Sequence, residues 1–263
     1  LEARIYLARA HLIDGDPATA QKVAEAAPSD QADNPALLEI RGRAQYARGQ
    51  REAALETFKR LTQVAEDRAE GYRWAGETLL ALDRPGDAVG YLEDARSRSD
   101  SPQAIEFDLV RALIRAGETE RADALLTELA DKYPDEASVA VLRGNYELAV
   151  DEDPEAAVDA FERALTLEPS EQNVLNLARL LRRTGETDAA AERLASWRAD
   201  NGPTTGVDFV LAELRLAQGR IDAARAMYSD LVKELPDNAS VRNNLAWTLA
   251  EALDWAYRNL GLS

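Results

Sequence analysis

The stretch Leu37-Leu38-Glu39-Ile40-Arg41-Gly42-Arg43-Ala44-Gln45-Tyr46-Ala47-Arg48-Gly49-Gln50-Arg51-Glu52-Ala53-Ala54-Leu55-Glu56-Thr57-Phe58-Lys59-Arg60-Leu61 decides the fold. Its apolar residues fall at helical spacing in two runs, Leu38, Ile40 and Tyr46 before Gly49 and Ala54, Leu55, Phe58 and Leu61 after it. A glycine between two such runs supplies the left-handed conformation that ends one helix and lets the chain turn into the next. The stretch therefore reads as helix, turn, helix.

The same pattern recurs along the chain. Gly15, Gly49, Gly117, Gly185 and Gly219 stand 34, 68, 68 and 34 residues apart, all multiples of 34. Small residues at Ala20, Ala54, Ala88, Ala122, Ala190 and Ala224 keep that phase, as do the large residues Phe58, Leu92, Leu126, Leu194 and Tyr228 and the closing prolines Pro134 and Pro236. A fixed period of this length marks a repeat array, in which each hairpin buries its apolar face against the next. The units run 1–34, 35–68, 69–102, 103–136, 137–170, 171–204 and 205–238, with a divergent eighth start at 239. Alanine five residues after the turn lets the two helices of a hairpin approach closely. Asp16-Pro17 and Asp153-Pro154 supply an N-cap and a preset first residue for a second helix.

Three units depart from the pattern. The unit from 137 has Asp151-Glu152-Asp153 in place of a turn glycine and carries one extra residue, compensated before Gly185. In the unit from 69 the turn reads Asp83-Arg84-Pro85-Gly86, and in the first unit Ala24 stands where others place a large residue. After Ala239 no turn follows, and Val241, Leu245, Thr248, Leu249, Ala252, Ala256 and Leu260 continue one helical face to Gly261. That tail is expected to be a terminal helix capping the array.

Composition agrees with an all-α chain and excludes several function classes. Hydrophobic residues make up 46% of the 263 and aromatics only 6%, with alanine and leucine dominant, which suits a helical core and not a sheet. A net charge of −17 opposes binding to nucleic acid or to an anionic membrane surface, both of which need positive charge. No apolar run approaches the ~18 residues of a membrane span. The chain starts at Leu1 rather than Met and is read as part of a longer protein, which leaves a signal peptide or lipid anchor open.

Gly42, Gln45, Tyr46, Ala54 and Phe58 in one unit, and Gly144, Ala157, Phe161 and Pro169 in another, resemble the tetratricopeptide repeat signature, seven times in phase and over the chain to about residue 250. The resemblance implies a right-handed α-solenoid superhelix of about seven tetratricopeptide hairpins with a C-terminal capping helix. Its implied work is to scaffold a protein or peptide partner. Asn243-Asn244-Leu245-Ala246-Trp247 is similar to late repeats of bacterial tetratricopeptide proteins of exopolysaccharide export and exosortase-type systems. That second resemblance implies an envelope location and a secretion or sorting assembly.

Catalytic chemistry has little to work with. The chain has no Cys and one His, His11, which is read as structural, and it lacks a nucleophile elbow and a phosphate-binding loop. Acidic clusters such as Asp14-Asp16 and Asp151-Glu152-Asp153 lack a calcium-loop pattern and read as solvated turns. No enzyme activity, cofactor or metal is expected.

In the tetratricopeptide family, positions 2, 5, 9, 12 and 13 of each unit face the inner groove. Carried onto this chain, they give a candidate partner-binding site of Phe107, Arg111, Arg115, Asn145, Arg179, Arg182 and Arg183, joined by Asn176 at position 6. Asn145 and Asn176 match the two asparagines of the family's carboxylate-clamp motif, although its lysines are missing: Val141 stands where the first is expected. Five arginines with no acid at those positions suggest a basic groove in an acidic protein. A planar guanidinium holds a carboxylate through two hydrogen bonds, so the expected partner is an acidic or carboxylate-bearing protein or peptide. Trp247 and Phe209 are candidate apolar anchors. The alternatives are a regulatory or substrate-selecting arm of a larger enzyme or export machine, and self-association through the first hairpin, where Ala24 and Ala27 replace bulkier residues.

Overall fold

The computed structural model describes residues 1–260, and their side chains except those of Asp151 and 252–260. The described residues are helical throughout, with no strand, and fall into two compact units, Leu1–Asp131 and Lys132–Ser263. The first holds α1 (Glu2–Ile13), α2 (Pro17–Glu25), α3 (Pro35–Ala47), α4 (Arg51–Val64), α5 (Ala69–Ala81), α6 (Pro85–Arg98), α7 (Gln103–Ala116) and α8 (Thr119–Lys132). The second holds α9 (Ala137–Tyr146), α10 (Pro154–Leu167), α11 (Glu171–Arg183), α12 (Thr187–Asn201), α13 (Thr205–Ala217), α14 (Ile221–Glu234) and α15 (Ala239–Leu260). Odd-numbered helices are the first helices of hairpins, and even-numbered ones are the second.

The repeat period has a steric cause that the packing makes explicit. A Cβ placed on Gly42 would lie 2.4 Å from the Phe58 ring, and one on Gly76 would lie 2.6 Å from Leu92. The glycine of the first helix thus makes room for the large residue of the second, and either partner alone would leave a clash or a void. The alanines five residues past each turn, Ala20, Ala54, Ala88, Ala122, Ala190 and Ala224, are fully buried at the closest approach of the two helices. Within each unit the next first helix then covers the second: α3 lies on α2, α5 on α4 and α7 on α6, and likewise α11 on α10, α13 on α12 and α15 on α14.

Each departure from the repeat has a local solution. Gly15, Gly49, Gly117, Gly185 and Gly219 take φ values between 72° and 89°, and Asp83 holds the same slot with a φ of 58°. Aspartate tolerates the left-handed region better than most residues, so the turn at 83–86 keeps the common geometry. The extra residue of the unit from 137 is absorbed by a π-helical turn, Glu147–Asp151, which ends on Glu152 at a φ of 51°. Compensation follows in the next loop: α4 and α5 are separated by the four residues 65–68, whereas α10 and α11 are separated by the three residues 168–170. Trp197 Nε1 donates to the Pro169 carbonyl at 2.7 Å and Asn173 Nδ2 to that of Glu168 at 2.9 Å, fixing the shortened loop. Asp16 and Asp153 cap α2 and α10 as their sequence predicts, by accepting from the backbone N–H groups of Thr19 and of Glu155 and Ala156.

Two expectations need correction. Ala24 is buried and Ala27 packs against the same core as Leu37 and Ile40, so these residues do not form an exposed end face; the small side chains serve the α2–α3 contact. In α15, Val241 and Thr248 are buried against α14, but Leu249 is 47% exposed and lies off the covered face. The side chains of Ala252, Ala256 and Leu260, and Gly261 as a whole, lie outside the described residues.

Candidate partner-binding site

The second unit gathers four of the residues singled out by sequence. Asn145 of α9 and Asn176, Arg179 and Arg183 of α11 line one cavity of about 340 Å³ with Leu148, Phe161 and Leu180. They meet because α9 and α11 are successive first helices, and positions one helical turn apart on each project to the same side. The π-turn contributes directly, since Leu148 lies in it and the turn begins two residues after Asn145. Asn176 Oδ1 accepts from Gln172 Nε2 at 2.8 Å and from Arg179 Nη1 at 3.3 Å, which occupies the amide oxygen and leaves its N–H donors for a ligand.

Charge distinguishes this cavity. Arg179 and Arg183 are exposed and four residues apart on α11, and among the described residues neither has a carboxylate within salt-bridge distance. Like charges at that spacing cost a helix roughly 0.2–0.5 kcal/mol, a cost an incoming carboxylate would offset. Arg182 points elsewhere: its guanidinium is 3.3 Å from Glu213, in a neighbouring cavity of about 500 Å³ that also holds Tyr228, Asn244 and the half-exposed Trp247. Asn244 Nδ2 donates to Tyr228 Oη at 3.1 Å, and burial pushes the Tyr228 hydroxyl up to about 12. Phe209 is half-buried, edge-on to the Tyr228 ring at 6.3 Å.

The first unit tells a different story about its arginines. Arg111 and Arg115 line a cavity of about 440 Å³ with Tyr46, Arg73, Glu77 and Asp108. Arg111 is bonded to Asp108, Arg115 to Asp83 at 2.8 Å, and Arg73 Nε lies 2.8 Å from Glu77 Oε1 and 3.5 Å from Asp108 Oδ2. Arg111 and Arg115 are thus neutralised by acids from outside the five inner positions, Asp108 from position 6 and Asp83 from a turn, while Arg73 faces Glu77 one helical turn along α5, itself at inner position 9 of the preceding unit. Sequence reasoning missed Asp83 because its pairing with Arg115, 32 residues on, becomes visible only once the helices are stacked, and it missed Asp108, three residues before Arg111 on the same helix, because it counted only the five inner positions. Phe107 is half-buried on α7 beside them. Asp108 is 3% exposed, with Oδ2 buried and no donor to it. Burial, and then the neighbouring Asp108 charge, raise the Glu77 carboxyl above the ordinary range against the opposing pull of Arg73.

His11 is partly exposed at the end of α1, with Nδ1 4.0 Å from the capping Asp16. No group of three metal-ligating side chains occurs among the described residues, and no described helix is long and apolar enough to cross a membrane.

The family model described as "Protein kinase G tetratricopeptide repeat" matches residues 77–253, and two further tetratricopeptide repeat models match 40–104 and 1–26. The chain belongs to the tetratricopeptide repeat family. This repeat chain is 29% identical over 190 residues to the "Putative cellulose synthase operon protein C" of Escherichia coli O157:H7, a match covering 68% of the chain and 15% of that relative. It spans a small part of that relative's length. Among solved structures, a tetratricopeptide repeat protein from Parabacteroides merdae superposes with a TM-score of 0.66 at 14% identity, over 94% of this chain and 98% of that one. PilW, described as a widely conserved type IV pilus biogenesis factor, superposes with a TM-score of 0.65 at 18% identity, over 80% and 97% of the two chains. These likenesses establish the all-α tetratricopeptide fold, a fold of protein-binding scaffolds that are in general not catalytic.

Proposed function

We propose that this repeat chain is a non-catalytic scaffold that holds an acidic, carboxylate-bearing segment of a partner protein on the inner face of its second unit. The observation that carries the reading is the Arg179–Arg183 pair: two exposed guanidinium groups without a carboxylate partner, beside Asn145 and Asn176, in an array whose net charge is −17. Arginine keeps its charge when partly desolvated and offers a fork of donors to a carboxylate, while the two amides can bond the backbone of an extended segment. Arg111, Arg115 and Arg182 already face acids and contribute less to such a site.

The test uses fluorescein-labelled decapeptides that are acidic, neutral or basic, each with a free or an amidated C-terminus, followed by anisotropy. Acidic peptides should bind and should weaken as salt rises, because a Debye length of about 8 Å screens part of the attraction at physiological ionic strength. Replacing both arginines (R179E/R183E) should lower affinity at least ~10-fold with helicity unchanged, since each charge-assisted bond contributes about 1.5–3 kcal/mol. Equal affinity of the wild type and the double variant would place the partner elsewhere.

A second reading rests on the likeness to the cellulose synthase operon protein. In it the chain is the repeat arm of an envelope polysaccharide export system whose chemistry resides in other parts or other proteins. Gene neighbourhood decides it: a locus without any glycosyltransferase or export gene would remove this reading and leave the first intact.

A further inference from the structure

Trp247 stands apart from the other tryptophans whose side chains are described. Trp74 stacks on Phe58 with ring centroids 5.7 Å apart and carries the Arg43 guanidinium 5.2 Å from its own centroid; Trp197 is buried, with its N–H bonded to the Pro169 carbonyl. Both are committed to packing. Trp247 is 48% exposed, and among the described residues no ring or cation packs on its indole and no acceptor takes its N–H. Its place in the repeat explains the exposure. It is the ninth residue of its unit, as are Asn145 and Arg179, which stay exposed although repeats precede and follow them in the chain. An open side chain therefore belongs to that position, and Trp247 puts a large aromatic surface where the earlier units put polar groups.

The indole lines the cavity of about 500 Å³ in the second unit, a size within the ~300–1,000 Å³ of small-molecule sites. Arg182, Glu213 and Asn244 share that lining. Arg182 and Glu213 lie 3.3 Å apart, so their charges cancel while a set of donors stands beside a set of acceptors. Asn244 Nδ2 donates to Tyr228 Oη at 3.1 Å, which orients the amide and leaves its oxygen to accept. These neighbours decide what the aromatic surface suits. An apolar side chain of a peptide would strip water from Arg182, Glu213 and Asn244 and return no hydrogen bond, which opposes its binding. A hexopyranose with equatorial hydroxyls meets both demands. Its hydroxyls, each a donor and an acceptor, point outward around the ring, and its weakly positive axial C–H bonds lie flat on the negative face of an indole. We infer that this cavity is a carbohydrate subsite, which stacks one neutral, gluco-configured pyranose of a glycan on Trp247 and holds its hydroxyls with Arg182, Glu213 and Asn244. The inference rests on the chemistry of this cavity and on neither reading of function above; the carboxylate site uses Arg179 and Arg183 instead.

Calorimetric titration of the whole chain with cellotetraose, carried to millimolar sugar, tests this. The sugar should bind, and because it carries no charge its affinity should be the same in low and high salt, unlike that of an acidic peptide. W247A should weaken binding at least ~10-fold, the scale of truncating an aromatic anchor. W247F keeps a ring and should lose less, and E213A should weaken binding while circular dichroism shows all three variants as helical as the wild type. Absence of binding to the wild-type chain overturns the inference, and so does equal affinity of W247A and the wild type. A neutral apolar decapeptide that binds the wild type and not W247A, where cellotetraose binds neither, also overturns it and makes the cavity a peptide anchor. The carboxylate site is judged separately, since its probes are charged peptides and its variants lie at Arg179 and Arg183.

Discussion

Asp108 and Glu77 show how one titratable pair ties the fold to pH. The Asp108 carboxylate is almost removed from water, held by Arg111, and beside a Glu77 whose ionisation burial and the Asp108 charge both resist. A carboxyl raised above its ordinary value in the folded state prefers to be neutral there, so folding is disfavoured while the group is charged. Stability should therefore rise as pH falls through the folded value of Glu77 and level off below its ordinary value of 4.5. The E77Q variant is neutral at every pH. It should melt above the wild type near pH 7 to 8, with the gap narrowing as the medium is acidified toward the ordinary glutamate range. Thermal melts across pH decide this, and a gap that stays constant with pH would show that Glu77 does not carry the linked proton.

Among the helices and turns, glycine does two opposite jobs, and the distinction gives a paired prediction. Gly49 ends α3 with a φ of +76°, where a Cβ is strained even though nothing lies within 4 Å; Gly90 is exposed inside α6 at ordinary helical geometry, also with open space around it. G49A should cost about 1 kcal/mol, the penalty of an L side chain in the left-handed region. In contrast, G90A should gain roughly 0.5–1 kcal/mol by removing glycine from a helix interior. Chemical denaturation of the two variants measures both, and a stabilising G49A would contradict the turn geometry. Turn glycines were legible in the sequence because only their phase of 34 was needed, and the phase also placed the buried alanines. Less was legible where geometry crosses units. The extra residue of the unit from 137 showed in the numbering, but not that a π-turn would absorb it next to Asn145 and carry Leu148 into the cavity. The arginine stripe was visible as a set, yet its division into neutralised members (Arg111, Arg115, Arg182) and members without a carboxylate (Arg179, Arg183) depends on where Asp108, Asp83 and Glu213 reach. The reach of Asp83 and Glu213 is set by helix stacking and has no signature within one repeat, whereas Asp108 stands three residues before Arg111 on α7 and was legible there.

At the scale of the whole molecule, the stability of a repeat array is close to a sum of local and nearest-neighbour terms. Phe58 tests that. It is fully buried, fills the space left by Gly42 and stacks on Trp74 with ring centroids 5.7 Å apart, so it joins α4 to both α3 and α5. Its truncation in F58A should cost about 3–5 kcal/mol, the range for losing a buried aromatic. If stability is local, that loss stays near the site: amide exchange in α3, α4 and α5 should accelerate by ~100-fold or more, while α11 to α14, remote along the chain, keep their protection. Denaturant unfolding of the variant should then depart from a single two-state transition when followed by helical circular dichroism, because the weakened region melts before the rest of the helical signal. Exchange accelerated equally in every helix would instead show one cooperative block. Stacking terms would then be large enough to bind all the hairpins together, and replacing exposed residues such as Arg179 and Arg183 would remain a test of binding alone.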